Sequence, residues 1–134
     1  MEVTEKVLEK KFDECNKIYF NNGLPYPFFS IFCKKKPFAK FTYLKKKKNG
    51  ENVLVYKKIS VSNYYDFNEE QLRDIIVHEM IHYFIAYNDI KDNKEHGKIF
   101  LSIAERLNSE FGLNIEKTRS TSSYLRKENA PTIN

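Results

Sequence analysis

Val3, Val7, Leu8, Phe12, Cys15, Ile18 and Tyr19 recur at intervals that put them on one stripe of a helical repeat, which predicts an amphipathic helix over about residues 4–20. Cys15 lies on that stripe and reads as a core residue. Asn21-Asn22-Gly23-Leu24-Pro25-Tyr26-Pro27 then stops the helix, because a Gly tolerant of left-handed backbone and two prolines cannot continue it. The period changes after this point. Residues 28–33, 38–44, 53–56 and 59–62 are aromatic and β-branched with partial alternation, and they predict three or four short strands. Between two of them lies Lys45-Lys46-Lys47-Lys48-Asn49-Gly50-Glu51, whose Asn-Gly pair suits a tight hairpin with the lysines decorating its tip.

Helical spacing returns at Asn68-Glu69-Glu70-Gln71, where an Asn N-cap, acids in the first turn and Gln three residues on open an apolar run. The predicted helix covers residues 69–87 and buries Leu72, Ile75, Ile76, Met80 and part of the aromatic stretch that follows. Residues 88–94 read as a polar connection. Ile99, Phe100, Ile103, Leu107 and Phe111 mark a last helix that Gly112 can cap. Beyond Lys117 the chain is polar and weakly patterned. The expected organisation is one domain over residues 1–116 and a polar tail over residues 117–134, with no internal repeat.

Composition narrows the class. A chain of 134 residues with 41% hydrophobic content, 11 Phe and 9 Tyr has apolar surface for one core and lacks the signature of disorder. Two distant cysteines, Cys15 and Cys33, build neither a disulfide framework nor a paired-thiolate zinc site, so a reducing, cytoplasmic compartment is expected. The first residues include acids and no apolar signal region, and the most hydrophobic stretch is broken by His, Glu and Asn, so neither export nor membrane insertion is expected. The net charge of +5 is uneven: residues 34–58 hold ten Lys and one acid, a local +9 against −4 elsewhere. That field can gather a polyanion such as DNA, with Lys34, Lys35, Lys36, Lys45, Lys46, Lys47 and Lys48 as the candidate contacts. A solvated hairpin that resists edge-to-edge pairing accounts for the lysines equally well.

The chemistry sits in the second predicted helix, at His78-Glu79-Met80-Ile81-His82. Residues four apart lie about 40° apart around a helix, so both imidazoles project the same way and can approach one Zn2+ at about 2.0–2.1 Å. Glu79, roughly 100° round from His78, is better placed to meet a water than to bind the metal, and is the expected general base. A catalytic zinc takes three protein ligands and keeps a fourth position open, so another ligand must come from elsewhere. His96, the last of three histidines, follows a polar turn and precedes Gly97, which permits close backbone approach. A carboxylate, Glu95 or Glu105, is the competing third ligand. The H-E-x-x-H-x-x-G-x-x-H pattern fails, since Tyr83, Phe84 and Ile85 follow His82. Tyr64, Tyr65 and Tyr83 are phenols that could face an oxyanion, although each reads more simply as packing. A purely structural role would leave ionisable groups unexplained within an apolar segment.

These residues resemble the SprT-like family of zinc metalloproteases. The resemblance runs from about residue 19 to 113 and rests on Tyr19-Phe20 with Leu24-Pro25, on Ile59-Ser60-Val61-Ser62, and above all on Ile76-Val77-His78-Glu79-Met80-Ile81-His82 with His96-Gly97-Lys98-Ile99-Phe100. It implies an α+β, zincin-like minimal domain in which an N-terminal helix and a small sheet pack on the active-site helix and a further helix supplies the third histidine. It further implies zinc on His78, His82 and His96, Glu79 as the catalytic residue, and protein or peptide substrates that include proteins trapped on DNA. Relatives commonly append a four-cysteine zinc ribbon, which two distant cysteines do not match. DNA engagement would then fall to the lysines named above, on a chain expected to act as a monomer. The competing class is a zinc-containing DNA- or transcription-associated module that cleaves nothing; Glu79 and the three-ligand set argue against it.

Overall fold

Thr4 and Asn68 start the two longest helices in the way their sequences predict. The computed structural model of the chain describes residues 2–116 and the backbone of residues 125 and 126. Helix α1 (Glu5–Tyr19) begins where the Val7 N–H donates to Thr4 Oγ1 at 3.1 Å. Helix α2 (Glu69–Tyr87) begins on a reciprocal cap, with the Gln71 N–H donating to Asn68 Oδ1 at 2.8 Å and the Asn68 N–H donating to Gln71 Oε1 at 3.0 Å. Helix α3 (Lys98–Phe111) closes on Gly112, which takes the left-handed φ of 70° that a side chain would resist.

Between α1 and α2, strands β1 (Phe28–Phe32), β2 (Ala39–Lys48) and β3 (Glu51–Ser62) form a sheet in the order β1-β3-β2. β3 pairs parallel to β1 and antiparallel to β2. A short antiparallel pair joins β4 (Tyr65–Asp66) to β5 (Leu125–Arg126). The two segments expected at residues 53–56 and 59–62 are therefore one strand. The lysines are also placed differently from the expectation. Asn49 and Gly50 alone make the hairpin turn, at φ 51° and 82°, while Lys45, Lys46, Lys47 and Lys48 pair across the ladder with Leu54, Val53, Asn52 and Glu51. A two-residue turn with two positive φ values leaves no room for a longer tip. The predicted tail, residues 117–134, lies outside the described residues apart from β5.

Register decides which residues face the helices. Phe41 pairs with Ile59, but Leu44 faces Tyr56 and Lys45 faces Leu54, so Val55 is an extra residue in β3. A bulge of one residue inverts the in–out alternation beyond it. Alternation along β2 keeps Lys45 on the inner side with Phe41, and the bulge brings Leu54 there with Ile59, whereas Leu44, Tyr56 and Lys58 turn outward.

The core forms where α2 packs on β2 and β3, with α1 against β1 and α2, and α3 against α2. Leu72, Ile75, Ile76, Val77, Met80, Ile81 and Tyr83 are all buried, which surrounds α2 with apolar contact on nearly every side. Leu8, Phe12 and Cys15 supply the α1 stripe, and Phe100, Ala104 and Leu107 supply that of α3. Burial pushes the Cys15 thiol up to about 12, so it is an inert apolar group. Two expected stripe residues leave the core: Ile18 is 54% exposed and Phe111 43% exposed. Both lie in the last turns of their helices, where Phe111 packs edge-on against Tyr19 instead. Among the described residues no helix is long and apolar enough to cross a membrane.

Candidate metal centre

An apolar helix at the centre of a fold has no cheap way to hold polar side chains. α2 holds His78 and His82 on one stripe with Glu79 beside them, and all three open onto a cleft of about 770 Å3. β2 forms one wall of this cleft, and the connection from α2 to α3 forms another, through Asp92, Lys94, Glu95 and His96.

The three histidines converge. His96 Nε2 lies 3.2 Å from His78 Nε2 and 3.2 Å from His82 Nε2. A tetrahedral ion bound at about 2.0–2.1 Å by imidazole nitrogens holds them about 3.3–3.4 Å apart, so the trio fits a metal ion. The rings are prepared for that role. The His78 Nδ1–H donates to the Glu116 carbonyl at 2.9 Å, which leaves the Nε2 lone pair directed at the cluster. Burial first, and His96 second, lower the His82 pKa to about 4, so this ring is neutral at neutral pH. Phe100, fully buried, places its ring 4.8, 4.7 and 4.9 Å from the His78, His82 and His96 rings and fixes their spacing from beneath.

His96 owes its position to the start of α3. Asp92 Oδ1 accepts the Asn93 and Ile99 N–H groups at 2.9 and 3.2 Å, and Oδ2 accepts that of Phe100 at 3.0 Å. Asn93 Oδ1 accepts the Lys98 N–H at 3.1 Å. These two side chains satisfy the first turn of α3 from outside the helix, where Gly97 offers no side-chain cap. They also explain Gly97 better than close approach to a metal does. A Cβ there would collide with the Asp92 and Asn93 side chains, coming within 2.7 Å of Asp92 Cγ.

Glu79 is 7% exposed and lines the cleft, with Oε2 4.0 Å from His78 Nε2. Burial, helped by Glu95, pushes its carboxyl up to about 8. A dication held by the trio would favour the carboxylate and lower that pKa, toward the range a general base needs at neutral pH. Glu95 is exposed at the cleft and Glu105 is exposed on α3, and neither belongs to the trio. The three candidate phenols lie away from the cleft lining. The Tyr83 hydroxyl donates to the Pro25 carbonyl at 2.7 Å, the Tyr65 hydroxyl donates to that of Lys35 at 3.3 Å, and Tyr64 is buried.

The lysines are distributed rather than gathered. Lys34, Lys35 and Lys36 lie in the β1–β2 connection, and Lys36 reaches the cleft. Lys45 lines the cleft with its Nζ 2.9 Å from Asp89, while Lys46 and Lys48 face outward and Lys47 inward.

Sequence reasoning missed the groups that hold the ligands: the Glu116 carbonyl, the Asp92 and Asn93 acceptors, and Asn108. The last clamps the segment after α3, accepting the Ile115 N–H at 2.8 Å and donating Nδ2–H to its carbonyl at 3.1 Å. Ile115 directly precedes Glu116, so Asn108 positions the carbonyl that orients His78. Asn108→Ala is expected to weaken metal binding about tenfold or more, in the range of lost outer-shell partners. A competitive titration with a chromophoric chelator measures this, and His78→Ala in the same background should add less than it does alone.

A small α+β fold organised around such a cluster is that of a zincin-like, metallopeptidase-type domain. The chain belongs to the SprT-like family, whose model matches residues 8–119 and so spans α2, which carries His78 and His82, and the connection that carries His96. No curated protein matches the chain.

Proposed function

We propose that this protein is a zinc-dependent endopeptidase, acting in the cytoplasm on proteins associated with DNA. The observation that supports hydrolysis is the buried Glu79 carboxyl facing the same cleft as three converging imidazoles. Zinc suits that donor set, and when bound it would supply Lewis-acid polarisation of a carbonyl and acidification of water. His78, His82 and His96 hold it, and the Glu116 carbonyl keeps the His78 ring oriented. Glu79 removes the proton from the attacking water and returns it to the leaving amine. A purely structural zinc would have no use for this carboxyl, which argues against a binding module that cleaves nothing. A peptide is the favoured substrate because β2 is an edge strand and five of its residues line the cleft. An extended chain can hydrogen-bond along such an edge and lie across the imidazoles. The test compares zinc content and proteolysis of an unfolded protein by wild type and Glu79→Gln.

The association with DNA draws on the outer face of the sheet. There Phe28, 64% exposed, stacks on Tyr56 at 5.7 Å, and Lys40 Nζ lies 4.8 Å from the Phe32 ring centroid. Lys46 and Lys58 share this face. An exposed ring beside two half-buried ones, with interleaved lysines, suits the bases and phosphates of an unpaired strand. Reversing Lys40, Lys46 and Lys58 to Glu is expected to weaken binding of a labelled oligonucleotide and to flatten its log–log salt dependence by about 2. Fluorescence anisotropy across a salt series measures both. Binding indifferent to salt and to these changes would reduce the lysines to solubilising surface.

A further inference from the structure

The cleft extends past the metal cluster in a direction that β2 and α2 share. Phe41 stacks on Tyr83 at 5.1 Å, and four residues further along the strand Lys45 Nζ meets Asp89 at 2.9 Å. Moving along β2 therefore follows α2 from His82 toward its C-terminus. Ile85 and Ala86 lie on the stripe of His82, three and four residues on, so they form the floor of this half. Phe41 and Tyr43 form its wall, and Ile90 lines it from the connection beyond α2. Lys45 at its far end is bound to Asp89, which also accepts an N–H from Asn52 at 3.3 Å. Five apolar residues surround the space, and the charge of Lys45 is matched by Asp89.

A peptide lying along β2 alternates its side chains between the two faces, so one side chain next to the scissile bond enters this half. We propose that Phe41, Tyr43, Ile85, Ala86 and Ile90 form an apolar subsite that seats a bulky aliphatic or aromatic side chain beside the scissile bond. The proposal rests on the peptidase reading and adds to it the substrate class.

The full-length, zinc-loaded protein is incubated with an equimolar library of unstructured peptides, and cleavage sites are read by mass spectrometry. Leu, Ile, Met, Phe or Tyr should be enriched at one fixed position within two residues of the cut. Matched peptides with Leu or Ala at that position should differ at least tenfold in kcat/KM. Ala86→Phe fills the floor and should bring that ratio toward one, and Tyr43→Ser, which opens an exposed wall, should lower it while circular dichroism reports an unchanged fold. Binding gives a readout without turnover: a peptide hydroxamate with a Leu side chain should bind at least tenfold tighter by calorimetry than its Ala counterpart, and Ala86→Phe should remove the difference. Cleavage with no side-chain preference, or with a preference for charge, overturns the subsite and leaves the peptidase reading intact. Failure to cleave any peptide, with hydroxamates bound equally, overturns both.

Discussion

Glu79→Gln should retain about one zinc per chain and lose peptide hydrolysis by about 10²–10⁴-fold, the range that proton transfer contributes in positioned acid–base catalysis. Gln matches the shape of Glu and keeps an acceptor oxygen, but it cannot take a proton from water. The three imidazoles are untouched, so metal content measured by elemental analysis separates loss of chemistry from loss of the site. A variant that cleaves as fast as wild type would remove Glu79 from the mechanism and return the site to a structural reading.

The same substitution has an opposite consequence for the metal-free fold. Burial raises the Glu79 carboxyl from 4.5 to about 8, so the folded state holds a proton that the unfolded chain releases. Its contribution to stability is present below about 4.5 and is lost as pH rises through 8, because the folded state binds more protons across that window. His82 has the opposite sign: its pKa falls from 6.5 to about 4, so its neutral ring weakens the fold as pH drops through that interval. Above about pH 6.5 the Glu79 effect stands alone. Urea denaturation of the metal-free protein at pH 8 should therefore find Glu79→Gln more stable than wild type, by roughly 1–3 kcal/mol. A carboxylate kept in a dry site for its reactivity lowers stability in this way.

Much of this was legible because the deciding signals are local. The Asn68–Gln71 cap, the Gly112 stop and the spacing of His78 and His82 each depend on a few residues of backbone geometry, and the structure has all three in place. The lysines of residues 45–48, expected at the tip of the Asn49-Gly50 hairpin, lie in β2. Their place in β2 follows from turn chemistry, since Asn49-Gly50 closes the hairpin in two residues and commits its neighbours to pairing. The bulge at Val55 decides that Leu54, not Val55, shares the inner side with Lys45, and nothing in the composition marks it. The supports of the metal site were illegible for another reason. A backbone carbonyl such as that of Glu116 has no residue signature, and Asn108 and Asp92 act on segments seven or eight residues away. Such contacts exist only once tertiary structure has brought the partners together.

His96→Ala should abolish useful metal binding and Gly97→Ala should weaken it, by different routes. Removing an outer-shell partner typically weakens a metal site about 10–100-fold, so removing the His96 ligand should cost more than about 100-fold. His96 is only half-buried, and its loss should leave the urea midpoint of the metal-free protein almost unchanged. Gly97→Ala keeps all three imidazoles but places a Cβ into the Asp92 and Asn93 side chains. Those side chains can yield only by giving up the N–H groups of Ile99, Phe100 and Lys98, which start α3. Phe100 would then shift beneath all three rings. The expected result is weakened zinc binding together with a lower urea midpoint even without metal. Asp92→Ala combined with Gly97→Ala should be little worse than either change alone, because both remove the same cap. If Gly97→Ala instead binds zinc and unfolds like wild type, the start of α3 does not hold His96 in place.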